Sequence, residues 1–176
     1  LCTEGRFANR LIIPFRKEGK VYYFQARSLF GEEPKYLNPA SEGAVRSSDV
    51  LYPFDESQDS VLVCEGPLDA VALQRQGVNA TCTIGSTCSK TQAEILAGFG
   101  GQIILGYDND EAGQKGMKRF DRLRKELRMT GFAVCPPPSG YKDWNDAHIE
   151  GEDLKSWIEQ NSSPYDFEYL IRSSIE

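Results

Sequence analysis

Histidine occurs once in this chain, at His148, and no two cysteines stand as a CxxC pair. A zinc site needs clustered thiols and imidazoles, so none is expected in this stretch. The lone histidine also leaves little room for His-dependent acid–base catalysis, and His148 reads as an ordinary surface residue. The five cysteines, Cys2, Cys64, Cys82, Cys88 and Cys135, are odd in number, and Cys64 and Cys135 fall in apolar runs. That usage fits reduced thiols in a cytoplasmic protein. No apolar run approaches a membrane span and no signal peptide is visible, so no membrane partner is expected. The chain begins at Leu1 rather than at methionine and reads as a fragment excised from a longer protein.

What is present is core-forming material and unevenly spread charge. A hydrophobic fraction of 40% supports a real core, and the length suits one domain with a small appendage. The net charge of -6 is not that of a typical nucleic-acid binder. Local patches nevertheless govern attraction to phosphate. Arg6, Arg10, Arg16, Lys17, Lys20 and Arg27 make the first stretch basic, and Lys115, Lys118, Arg119, Arg122, Arg124, Lys125 and Arg128 make one later helix basic.

Leu11–Phe15 and Val21–Arg27, separated by Glu18-Gly19-Lys20, form the pattern of a β-hairpin. Lys35–Pro39 reads as an ordered loop, and residues 41–60 are polar and irregular apart from Leu51-Tyr52. Residues 1–59 are therefore expected to form a small mixed α/β basic subdomain. From Ser60 strands and helices alternate, which implies βαβ units and a mainly parallel sheet flanked by helices over 60–160. The expected strands are Val61–Cys64, Ala80–Ile84, Ile103–Tyr107 and Phe132–Cys135; the expected helices are Pro67–Gln76, one opened by the capping box Ser89–Gln92, Glu111–Arg128 and Glu152–Gln160. Ser163 onward resembles the start of another helix, so 161–176 reads as an extension leading into a further domain.

In an open parallel sheet, ligands bind beyond the carboxyl ends of the strands. Those ends carry Glu65-Gly66, Gly85-Ser86-Thr87 and Asp108-Asn109-Asp110, with Lys142-Asp143 in the following loop and Asp69 one turn into the first helix. Carboxylates this close repel unless a cation lies between them. Filled with Mg²⁺, the cluster could hold phosphate oxygens, with Gly85 letting backbone N–H groups approach a phosphate. Each piece has a plainer reading. A lone DxD is often a solvated turn, Asp110 can cap the helix behind it, and Asp143 and Asp146 can cap a loop. A calcium loop starting at Asp108 fails, because Ala112 and Arg119 occupy positions that require ligands. A strand ending in DxD also resembles haloacid-dehalogenase-like phosphatases, which carry Thr or Val where this chain has Ala112 and place the motif on the first strand.

Cys64-Glu65-Gly66-Pro67-Leu68-Asp69, Ile84–Thr87, Tyr107–Gly113 and Lys142-Asp143 resemble the ordered motifs of a TOPRIM domain, in the version similar to bacterial DnaG-type DNA primases. Upstream, Asn9–Phe15, Gly19, Ala26-Arg27, Pro34–Asn38 and Leu51-Tyr52 resemble that family's basic subdomain. The resemblance implies the primase catalytic core: metal-dependent synthesis of short RNA primers on single-stranded DNA from ribonucleoside triphosphates. It implies a centre of Glu65, Asp108 and Asp110 holding Mg²⁺ or Mn²⁺, supported by Asp69 and Asp143. Arg10, Arg27, Lys35, Asn38, Gly85 and Lys142 would meet nucleotide or template, and a replicative helicase would bind through regions outside this stretch. Pro67, Asn109 and Trp144 depart from the commoner primase pattern, and Lys142–Asp146 looks like TOPRIM proteins of phages and mobile elements. A TOPRIM nuclease, a topoisomerase-like enzyme and a non-catalytic nucleic-acid-binding module stand as the alternatives.

Overall fold

The computed structural model describes residues 1–40 and 45–165. Strand β1 (Arg10–Lys17) turns through Glu18-Gly19, both at positive φ, into β2 (Lys20–Ser28), and the short β3 (Tyr36–Leu37) pairs on the far side of β2. The hairpin expectation holds, and the segment read as a loop at Lys35–Pro39 contributes this third strand. Among the described residues the basic subdomain is thus a three-stranded antiparallel sheet.

The second sheet is built from β4 (Ser60–Cys64), β5 (Ala80–Cys82), β6 (Gln102–Leu105), β7 (Phe132–Val134) and β8 (Ser163–Pro164), in the order β5-β4-β6-β7-β8. The first four are parallel, with Leu62 opposite Ala80 and Ile104, and Ile104 opposite Ala133. Val61 and Val63 point into one core with Ile103, Leu105 and Phe120, while Leu62 and Cys64 point into the other with Leu73, Ile104 and Trp144. A sheet buried on both faces needs an unbroken apolar strand, which is why Val61–Cys64 does not alternate with polar residues. Helices α2 (Lys90–Ala97) and α3 (Glu111–Glu126) cover the first face; α1 (Pro67–Arg75), α4 (Trp144–Ile149) and α5 (Leu154–Asn161) cover the second.

Three expectations need correction. The β5 strand stops at Cys82 because the chain turns at Ile84, which has φ 60, and Gly85, which has φ 133. Helix α4 was not anticipated; Asp143 caps it and its buried Trp144 donates from Nε1 to the Gly106 carbonyl at 2.7 Å. Ser163-Pro164, expected to open a helix, instead pairs antiparallel with β7 and delivers the buried Tyr165 to the core. The remainder of the expected C-terminal extension lies outside the described residues.

The segment between the two sheets is held rather than loose. Tyr52 N–H donates to the Cys82 carbonyl, Thr81 Oγ1 donates to the Tyr52 carbonyl, and Phe15 packs edge-on against Tyr52. The fully buried Gln92 donates through Nε2 to the carbonyls of Ser47, Val50 and Thr83, and its Oε1 accepts from Ser89 N–H. One side chain thereby fastens the linker to α2 and to the turn after β5. Gln92→Leu removes the donor from the buried Val50 and Thr83 carbonyls and the half-buried Ser47 carbonyl, a buried unsatisfied group costing roughly 1–3 kcal/mol. Urea unfolding is expected to show a loss of about 3 kcal/mol, against well under 1 kcal/mol for the exposed Glu94→Gln.

Candidate active site

The carboxyl ends of β4 and β6 bring the acids together. Glu65 follows β4, and its Oε1 accepts from the Asp108 backbone N–H at 3.3 Å. Asp108 follows β6 and Tyr107, and its Oδ1 is buried without a hydrogen-bond partner. Asp110 caps α3 by accepting from Gly113 N–H at 2.9 Å, as its position in the sequence suggested. Asp143 does the same for α4, accepting from Asp146 N–H at 2.8 Å. Asp69, only 8% exposed in the first turn of α1, accepts from Asn145 N–H at 3.0 Å and so ties α1 to α4.

These acids repel one another in a partly dry setting. Burial pushes Asp108 up to about 7, with Glu65, Asp143 and Asp110 adding like charge and Lys142 opposing them. Burial also pushes Asp69 up to about 7, with Asp143 the next contributor. Glu65 is raised by burial and by Asp110 and Asp69, against the pull of the Asp108 N–H and of Lys142.

The close packing of this edge has a specific cause at Gly113. A methyl group there would drive into the Asp108 carbonyl and stand 3.0 Å from Glu65 Oε1. Only glycine lets the first turn of α3 lie directly under the DxD turn. On the opposite side, Asn109 Nδ2 donates to the Pro137 carbonyl at 3.1 Å and straps the turn to the loop carrying Lys142.

A family model described as Toprim-like matches residues 62–148, the stretch that holds these acids. A DNA primase of Synechococcus elongatus is 36% identical over 136 residues, which is 72% of this chain and 20% of that protein. The solved RNA polymerase domain of Mycobacterium tuberculosis primase DnaG superposes with a TM-score of 0.81 at 27% identity, covering 97% of this chain and 60% of that one. A solved DnaG primase catalytic domain bound to single-stranded DNA gives 0.73 at 27% identity, covering 90% and 53%. This is a TOPRIM-domain protein resembling the catalytic core of DnaG-type primases. The chain spans about a fifth of the length of the first of these relatives.

The TOPRIM fold implies a divalent cation at this edge. Among the described residues no three acidic, histidine or cysteine side chains form a ready-made metal cage. The chemistry of the edge fits a cation all the same. Its donors are all carboxylate oxygens, the set a hard cation prefers, and the unpartnered Asp108 Oδ1 faces like charge instead of a donor.

The remaining residues singled out from the sequence fall into two groups. Lys142 is exposed and close enough to Glu65 and Asp108 to lower both. Arg27 donates to the hydroxyl of Tyr36 and also lies over its ring, where Lys35 joins it from an exposed position. Tyr36, which sequence reasoning did not select, organises both cations, and the charge of Asp69 reaches it. The second group is committed elsewhere. Arg10 is 3% exposed and donates to the carbonyls of Glu32, Pro34 and Lys35, so it shapes the loop that presents Lys35 and is not open to phosphate. Asn38 Oδ1 accepts from the buried Gln25, and the Gly85 N–H donates to the Glu65 carbonyl at 2.8 Å. Gly85 therefore fixes the backbone beside Glu65 and does not offer its own N–H to a phosphate.

In protein stripped of divalent ions, folded Asp108 and Asp69 keep their protons up to about pH 7, whereas an unfolded aspartate loses its own near pH 3.9. Between those values the folded state binds more protons than the unfolded one, so stability falls as pH rises from about 4 through about 7. Urea unfolding in chelator should show a smaller free energy at about pH 8 than at about pH 5. Asp108→Asn should flatten that profile, and Mg²⁺ should restore stability chiefly at the higher pH. A separate test addresses the close approach of α3. Gly113→Ala is expected to cost about 1–3 kcal/mol in the same assay, with the Glu65 and Asp108 backbone amide resonances shifting and those of the first sheet unmoved.

Proposed function

We propose that this chain is the nucleotidyl-transfer core of a DNA primase, making short RNA primers on single-stranded DNA. The observation that carries the reading is the pairing of Glu65 with Asp108 at the parallel sheet's carboxyl edge, with a buried carboxylate oxygen left unpartnered. The DnaG relatives supply the reaction class, and the all-oxygen donor set supports the choice of metal.

Glu65 and Asp108 would hold Mg²⁺ or Mn²⁺, with Asp110 beside them. A divalent ion bound there would supply Lewis-acid stabilisation of phosphate charge and a lowered pKa for a bound hydroxyl. The chain's own side chains divide the rest of the work. Asp110 and Asp143 keep their helix caps and hold the two loops in register, while Asp69 locks α1 to α4 behind them. Lys142 lies on the acidic side, where it would meet a triphosphate. Lys35 and Arg27, arranged on Tyr36, lie on the basic sheet and would hold nucleotide or template phosphates. The cleft between the sheets then orients a primer 3′-hydroxyl against the incoming α-phosphate, and orientation accounts for most of what a protein contributes to phosphoryl transfer. Arg10 acts at one remove, through the Glu32–Lys35 loop. A replicative helicase partner and a reducing cytoplasmic setting belong to the same proposal.

The test is oligoribonucleotide synthesis on single-stranded DNA with ribonucleoside triphosphates and Mg²⁺ or Mn²⁺, run on this chain and on its complete gene product. The complete product is expected to make primers, and Asp108→Asn with Asp110→Asn to reduce the yield on the order of 1000-fold. Full synthesis by the double variant overturns the reading. Strand cleavage with no nucleotide addition assigns the edge to a TOPRIM nuclease instead.

A further inference from the structure

Helix α3 carries a second feature that the acidic edge does not use. Lys115, Lys118, Arg119 and Arg122 are all exposed and, with Leu123, line a shallow groove on its outer face. At 3.6 residues per turn the four cations fall within an arc of about 100° and run about 10 Å along the axis. The opposite face of the helix is spent on packing, through Gly113, Gly116 and Phe120. Acids occur on the outer face only at its two ends: Glu111 pairs with Lys115, and Glu126 pairs with Lys90. Among the described residues Lys118, Arg119 and Arg122 make no ion pair.

A solvated basic face is the plain reading of such a helix. Three observations go further. The chain as a whole is acidic, so four cations concentrated on one face stand against its average field. The other basic residues of α3 are engaged nearby, since Arg124 and Lys125 share Asp121, while the three central ones are left open. The stripe is also continuous with the catalytic edge. Asp110 caps the helix, so Lys115 follows it by five residues, about 7 Å along the axis. The stripe therefore begins one to two turns from the DxD turn.

We infer that the outer face of α3 is a docking track for the backbone of a nucleic-acid duplex leading away from the acidic edge. A duplex carries one phosphate per 3.4 Å on each strand, so a track of about 10 Å spans roughly three steps. Single-strand binding relies on aromatic platforms for unstacked bases, and the groove holds none; its one apolar member, Leu123, is half-buried. This inference rests on the proposed polymerase reading, in which a product duplex must leave the site.

The test reads binding rather than synthesis, so the two ideas fail separately. Fluorescence anisotropy would follow an RNA–DNA hybrid and a single strand of equal length, with no nucleotides present, across a salt series. The triple variant Lys118→Gln, Arg119→Gln, Arg122→Gln is expected to bind the hybrid on the order of 100-fold more weakly near 0.1 M salt. Its log affinity against log salt should be shallower by about 2 to 3, with the single strand affected far less. Lys155→Gln, an exposed position on α5 across the sheet, should leave the hybrid's affinity and salt slope unchanged. Circular dichroism would check the fold, and Lys118→Gln alone, at an exposed position, supplies a milder variant expected to take about 1 from the slope. Unchanged hybrid affinity and slope in the folded triple variant overturn the inference, and so does an equal loss on the single strand.

Discussion

The structure turns on the cost of holding carboxylates side by side at the end of a buried parallel sheet. Glu65, Asp108 and Asp69 are each raised above the ordinary carboxylate range by burial and by one another. A fold does not lower that cost by accident of packing. It must fix each backbone so firmly that the side chains cannot swing out to water. Much of the surrounding architecture can be understood as that restraint. The Gly85 N–H grips the Glu65 carbonyl, Asp110 and Asp143 are locked into helix caps, and the Asn109 side chain straps the DxD turn to the loop of prolines. Backbone strain collects at the same place. Ile84, a β-branched residue, sits at φ 60 just before Gly85, where the chain must turn sharply to deliver that hydrogen bond.

The same constraint explains why the two sheets are joined through buried polar groups rather than by apolar packing alone. An apolar contact can slide by a few tenths of an ångström at little cost. An amide whose two N–H groups are shared among three carbonyls cannot. Gln92 therefore sets the distance between the linker at Ser47–Val50 and the turn at Thr83, and through it the placement of the basic sheet against the acids. Tyr22 adds a tether, donating to the Leu51 carbonyl at 2.8 Å.

Much of this was legible in the sequence because it rests on local signals. Apolar runs bounded by glycine marked β4, β6 and β7, the Ser89–Gln92 box marked α2, and the acids at successive strand ends marked the edge. What was not legible depended on contacts between distant residues. Arg10 looks like a phosphate ligand in a basic stretch, but its guanidinium goes to three carbonyls of a loop more than 20 residues away. Tyr36 looks like one more aromatic in a loop, and only the third strand sets it directly opposite Arg27. Helix α4 is short and opens with tryptophan, so no apolar period announces it. Its one forward signal was the spacing Asp143-Trp144-Asn145-Asp146, an aspartate followed three residues later by the N–H it caps.

Trp144 also shows how a departure from a family pattern can be absorbed. The residue is fully buried, and its ring lies 3.1 Å from where a side chain at position 106 would begin, a tight approach that glycine there relieves. Its Nε1 then satisfies the Gly106 carbonyl, which the end of the sheet ladder leaves without a strand partner. The indole thus packs under the end of β6, next to the residues that carry Asp108. It stiffens the base of the loop that carries Lys142 and Asp143, the two residues that bring opposite charges to Asp108. A loop so anchored can hold both charges at fixed distances, which a freely mobile turn at this position could not do.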